Sequence, residues 1–193
     1  PDTIFDLASL TKVVGTTTIA LKLMEEGELS LAHTIGDFVP WAPPEKKQIT
    51  IQQLLSHTSG LPAEAPLYES PLFGTEEGVL RAALSLPLHN APGTAVEYSC
   101  IGFIILGKIL ERVAGIPLDA LFRRLVAEPL ELEDTTYRVP RCKLHRTAYT
   151  EWDPLGKRFL RGVVHDENAR ALNGISGNAG LRSEERRVGK ECR

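Results

Sequence analysis

Between Leu10 and Met24, apolar or small residues recur at Leu10, Val13, Val14, Thr17, Ala20, Leu21 and Met24. That spacing follows one face of an α-helix and predicts a helix whose apolar face needs a covering layer. Ser9 stands where an N-cap or first-turn residue stands, and Gly27 where a C′ residue ends a helix. Pro40, Pro43 and Pro44 mark a loop. Thr50 then opens a short helix over Ile51–Ser56, which stops before Gly60 and Pro62. Residues 63–74 hold prolines and little periodicity, and read as an irregular surface segment. Helices are predicted over Glu76–Leu86, Ile101–Val113 (ended by Gly115 and Pro117) and Leu118–Val126 (stopped by Pro129). Pro92-Gly93 is a turn, and after Asp134 the pattern breaks into short, extended pieces as far as Gly162. The chain reads as mostly helix with long loops and few strands.

Composition narrows the classes. A chain of 193 residues, 42% of them hydrophobic, has room for a substantial core. With 22 Lys+Arg against 25 Asp+Glu, the net charge of -3 argues against a general nucleic-acid binder. No apolar run reaches the length of a bilayer span. Cys100, Cys142 and Cys192 are too widely spaced for a disulfide framework or a zinc site, and no Walker loop or HExxH is present. Compartment and oligomeric state stay open.

Both ends break the pattern. The chain starts at Pro1 in mid-pattern, so no signal peptide can be read. From Arg182 the text RSEERRVGKECR is unrelated to the periodicity before it, and back-translates without strain into a string resembling a common short-read sequencing adapter. The expected division is therefore 1–181 as a partial domain and 182–193 as a tail that is not native. Without its five basic and three acidic residues the net charge is −5.

Ser9 and Lys12 form the first chemical candidate. Residues i and i+3 of a helix share a face, about 5–6 Å apart at Cβ, so the amine can reach the hydroxyl. A serine is a weak nucleophile until a base takes its proton, and a lysine with a lowered pKa can do so. Roughly one S-x-x-K is expected by chance in a chain this long, and the competing reading is an N-cap serine beside a solvated lysine. Tyr98, in Tyr98-Ser99-Cys100 between a turn and an apolar helix, can aim a phenol into a cleft and shuttle a proton. His57, in Leu54–Pro62 (LLSHTSGLP), sits at a helix C-terminus, where a cap and dipole partner is the favoured reading. In Val164–Ala169 (VHDENA), consecutive His165, Asp166 and Glu167 cannot converge on one metal, and a capping loop is expected. Gly174-Ile175-Ser176-Gly177 is not a G-x-S-x-G elbow.

Taken together and in order, four segments resemble the serine beta-lactamase-like hydrolases, the branch with class C beta-lactamases, penicillin-binding DD-peptidases and related esterases. They are PDTIFDLASLTK (1–12), LLSHTSGLP (54–62), Pro92-Gly93-Thr94 leading into Tyr98-Ser99, and VHDENARALNGISGNAGL (164–181). The resemblance covers residues 1 to 181. It implies an α/β (α+β) beta-lactamase/transpeptidase-like fold, an antiparallel sheet flanked by helices plus a helical domain. Of this the chain would keep the nucleophile helix and most of the helical region, with most of the sheet missing.

The resemblance further implies Ser9 as the acylated nucleophile, Lys12 as its activator and Tyr98 as proton shuttle. The Ser9 N–H would supply half of an oxyanion hole, and no metal or organic cofactor would take part. The substrate would be a small ester, amide or D-amino-acid peptide, with no nucleic-acid partner. Two departures stand out. Cys100 replaces the Asn or Asp usual in the second motif, and the third motif, Lys/His-x-Gly, is absent. The alternative they keep open is a catalytically silent relative that binds peptidoglycan-like ligands or partners. The chain looks like the middle of a gene, and by itself is expected to be inactive.

Overall fold

A computed structural model describes residues 2–73, 75–153 and 156–184. Strand β1 (Ile4–Asp6) leads through a turn into a π-helical segment, Lys12–Thr17, that continues as α1 (Thr18–Glu25). Short helices α2 (Ile35–Phe38), α3 (Pro44–Lys47) and α4 (Ile51–Leu55) follow, then α5 (Glu76–Ser85). The apolar α6 (Cys100–Ala114) lies at the centre, against α2, α4, α5, the π-helical segment and α7 (Leu118–Phe122). The chain then makes a hairpin, β2 (Tyr149–Asp153) with β3 (Arg158–Arg161), a short α8 (Glu167–Ala171) and β4 (Arg182–Glu184).

Local chemistry sets most boundaries. The Thr50 hydroxyl accepts from the Gln53 N–H while the Gln53 side chain accepts from the Thr50 N–H, a reciprocal cap that starts α4. Ser99 starts α6 one residue earlier than the periodicity indicated, by accepting from the Gly102 N–H. Gly115, at φ 70°, ends it in the left-handed conformation a glycine adopts without strain. The expected loop holds at Pro40 and Pro43 and ends at Pro44, which opens α3, since at a helix start its missing N–H costs nothing.

The first helix corrects the sequence reading. Its buried face is Thr11, Lys12, Gly15, Thr16, Ile19, Ala20 and Leu23, whereas Leu10, Val13 and Leu21 are 49%, 64% and 56% exposed. Hydrophobicity alone selects a face turned partly outward: Ala20 is buried and Val14 and Met24 pack against the core, but the inward side also takes polar groups, which are satisfied there. The Thr11 hydroxyl accepts from the Leu181 N–H, Lys12 Nζ donates to the Asn178 carbonyl, and the Thr16 hydroxyl donates to the Gly177 carbonyl. The run 177–181 is thereby clipped along the helix. Gly15 admits it, since a Cβ there would lie 2.8 Å from Leu181 Cδ1.

On its other side the same run meets α6 at a glycine pair, where a Cβ on Gly177 would lie 2.0 Å from the Phe103 carbonyl oxygen. Gly177→Ala is therefore expected to destabilise by about 1–3 kcal/mol through overpacking against backbone. A thermal melt checks this, and an unchanged midpoint would contradict the contact.

β4 pairs antiparallel with β1 (Ile4 opposite Glu184, Asp6 opposite Arg182), and Arg182 also exchanges backbone hydrogen bonds with Thr136. The division expected at 181/182 thus does not coincide with an edge of the fold. Residues 185–193 of the expected foreign tail, Cys192 among them, lie outside the described residues.

Candidate active site

Asp6 at the end of β1 sets the entry to the turn that carries Ser9. Its Oδ1 accepts from the Ala8 N–H at 2.9 Å, a local turn, and its Oδ2 accepts from the His165 N–H and from Arg182. Ala8 is held at φ 46°, a conformation that costs an L-residue roughly 1–2 kcal/mol. Ser9 follows, exposed, with no acceptor for its N–H among the described residues. One turn on, Lys12 is only 2% exposed.

Lys12 Nζ donates to Ser9 Oγ at 2.9 Å, to the Asn178 carbonyl at 3.1 Å and to Cys100 Sγ at 3.4 Å. Three acceptors match the three N–H bonds of an ammonium, and a buried amine needs such partners. Cys100, where the resemblance implies Asn or Asp, thus contacts Lys12 through its sulfur, a weak acceptor. Burial pushes the Cys100 thiol pKa up, with Lys12 opposing, so the contact is made by a neutral thiol.

Tyr98 is half exposed and presents its ring to the amine, with Nζ 4.8 Å from the ring centroid. Its phenol has no hydrogen-bond partner among the described residues. The structure thus gathers Ser9, Lys12 and Tyr98 at one place, with the tyrosine facing Lys12 by its π-face.

Ser9 borders an open cleft of about 590 Å³, lined also by Cys100, Glu64, Tyr68, Asp166 and Asn168 among others. Asp166 caps α8 by accepting from the Ala169 N–H, as the capping reading of this segment expected, and its other oxygen accepts from the Asn178 side chain. Asn178 is held in turn by the Ser176 hydroxyl at 2.7 Å. The carbonyl that receives Lys12 is therefore braced through Ser176, Asn178 and Asp166. The described residues hold no cluster of His, Cys, Asp and Glu suited to a metal. No described helix is long and apolar enough to cross a membrane.

Sequence reasoning missed the Asn178 carbonyl, which has no side-chain signature, and a second role of His57. His57 does end α4, at φ 59°, but its ring also stacks on Tyr98. Its position in LLSHTSGLP, one of the four segments of the resemblance, was the available signal.

A family model described as Beta-lactamase matches residues 1–187. A putative D-alanyl-D-alanine carboxypeptidase of Escherichia coli (strain K12) is 32% identical, over 93% of this chain and 47% of its own length. An N-acetylmuramyl-L-alanine amidase of Bacillus subtilis (strain 168) is 29% identical, over 93% of this chain and 46% of its own. A class C beta-lactamase of Rhodobacter sphaeroides superposes with a TM-score of 0.78 at 25% identity, covering 99% of this chain and 51% of that one. The chain spans about half the length of the relatives it matches.

Proposed function

Because the chain belongs to the Beta-lactamase family, we propose that the whole protein hydrolyses a small ester, amide or D-amino-acid peptide through an acyl-serine on Ser9. The observation that carries this reading is the 2.9 Å contact between exposed Ser9 and buried Lys12. Lys12 Nζ gives up one of its protons to solvent and then takes the Ser9 proton as Oγ attacks the substrate carbonyl. The Ser9 N–H stabilises the developing oxyanion, and Tyr98 passes a proton to the leaving group and later activates water. Fluorophosphonate labelling with peptide mass mapping tests it: label on the Ser9 peptide supports the acyl-serine, and label confined elsewhere sinks it.

The cleft favours ester over beta-lactam turnover. Cys100 lines it with a thiol, a poor partner for a substrate amide. Cys100→Asn adds a carboxamide and is expected to raise the beta-lactam to ester ratio of kcat/KM about three- to tenfold, the worth of one hydrogen bond. An unchanged ratio would show that Cys100 does not discriminate.

The foreign origin of the tail remains part of this proposal. Arg182 is buried and paired with Asp6 and Thr136, so this reading rests on the sequence of the segment and not on its packing.

A further inference from the structure

Around Tyr98, residues distant in sequence converge on one histidine. His57 follows the last turn of α4 in the left-handed conformation, at φ 59°, a region in which His, Asn and Asp are enriched. That turn aims its carbonyl and its ring at the same stretch, 97–99. The His57 carbonyl accepts from the Glu97 N–H at 2.9 Å. Its Nδ1 accepts from the Ser99 N–H at 3.0 Å. Its ring lies against the Tyr98 ring, centroids 4.5 Å apart and planes at 35°, with Phe103 of α6 also 5.1 Å away.

We propose that His57 is a positioning residue for Tyr98, clamping it through the backbone on both sides and through its ring. The inference rests on the acyl-serine reading above and adds a part to it. Tyr98 is half exposed and its ring also meets Lys12 Nζ at 4.8 Å, so part of its surface is left unpacked. The Ser99 N–H belongs to the same peptide plane as the Tyr98 carbonyl, so holding that N–H fixes the tyrosine backbone. The stacked ring then limits its side-chain rotation. A clamped phenol meets the Ser9–Lys12 pair in one orientation, which is what proton transfer requires.

The clamp works only with Nδ1 unprotonated, because a protonated Nδ1 cannot accept. Burial first, and the Lys12 charge second, push the His57 pKa below its ordinary value and keep the ring neutral. The proton of the neutral ring is therefore on Nε2.

The test compares three variants in the whole protein, cloned with its flanking coding sequence. His57→Asn keeps an acceptor at the place of Nδ1 and tolerates the left-handed backbone. His57→Gln puts its acceptor one bond too far, and His57→Ala has none. With thermal melts recorded for each, His57→Asn is expected to label Ser9 within about threefold of the wild-type rate. His57→Gln and His57→Ala are expected to be at least tenfold slower, with the loss in kcat rather than KM for ester turnover. If His57→Ala does not fold, the Asn and Gln variants decide. Gln labelling as fast as Asn, or Ala as fast as wild type, overturns the clamp. So does a ring nitrogen spectrum showing Nδ1 protonated at neutral pH. A wild type that never labels at Ser9 overturns the acyl-serine reading instead, and the ring spectrum still decides whether His57 holds Ser99.

Discussion

Ser9→Ala in the whole protein is expected to abolish fluorophosphonate labelling, and Lys12→Met to slow it by about a thousandfold. The first removes the oxygen proposed to attack. The second removes the one amine within hydrogen-bond distance of it among the described residues. A positioned acid or base contributes about 10²–10⁴ in rate, so a thousandfold loss is the middle of the range. Methionine fills nearly the volume of the lysine stem, which separates chemistry from packing. It does leave the Asn178 carbonyl without its Lys12 donor, at a stability cost of about 1–3 kcal/mol. A thermal melt detects that cost and shows whether the variant is still folded at the labelling temperature. Label that survives Ser9→Ala, or a Lys12→Met variant within tenfold of wild type, would remove the pair from the mechanism.

Residues 1–193 expressed alone are expected to melt without a sharp transition and to show no Ser9-dependent ester hydrolysis. Phe5, Leu10, Val13 and Leu21 are between 41% and 64% exposed, and three of them share the outer face of the first helix. Fully burying such a side chain is worth roughly 1.5–3 kcal/mol, so four left half wet forfeit about 3–6 kcal/mol in all. A typical margin is only about 5–15 kcal/mol. Since the relatives are about twice as long, we propose that the remainder of the whole protein covers this face. Circular dichroism melts and a p-nitrophenyl ester assay on both forms check it. A cooperative melt of residues 1–193 together with Ser9-dependent turnover would show that the face needs no cover.

The helices were legible where their ends carry chemistry of their own. Thr50 and Gly115 mark a start and a stop through local hydrogen bonds or a left-handed turn, and the hydrophobic run of α6 is long enough to leave no choice of face. The inner face of the first helix was not legible. Thr11, Lys12 and Thr16 look solvated until residues 177–181, far along the chain, supply their partners. β1 and β4 were missed for a similar reason: three residues each carry too little period, and the pairing joins opposite ends of the described chain. Of the candidate site, the approach of Lys12 to Ser9 follows from helix spacing. Tyr98 was legible as a candidate but not in its orientation, which depends on His57.

The three acceptors of Lys12 lie 3, 88 and 166 residues from it along the chain. During synthesis, at about 5–20 residues per second, residue 178 follows Lys12 by roughly 10–30 s. Ser9 therefore leaves the ribosome early, while the cage that holds its amine partner closes only after nearly all of the described chain has been made. On the proposed mechanism, a nascent chain stalled before that point carries Ser9 and Lys12 without the buried partners that fix the amine, and is expected to be inactive toward esters.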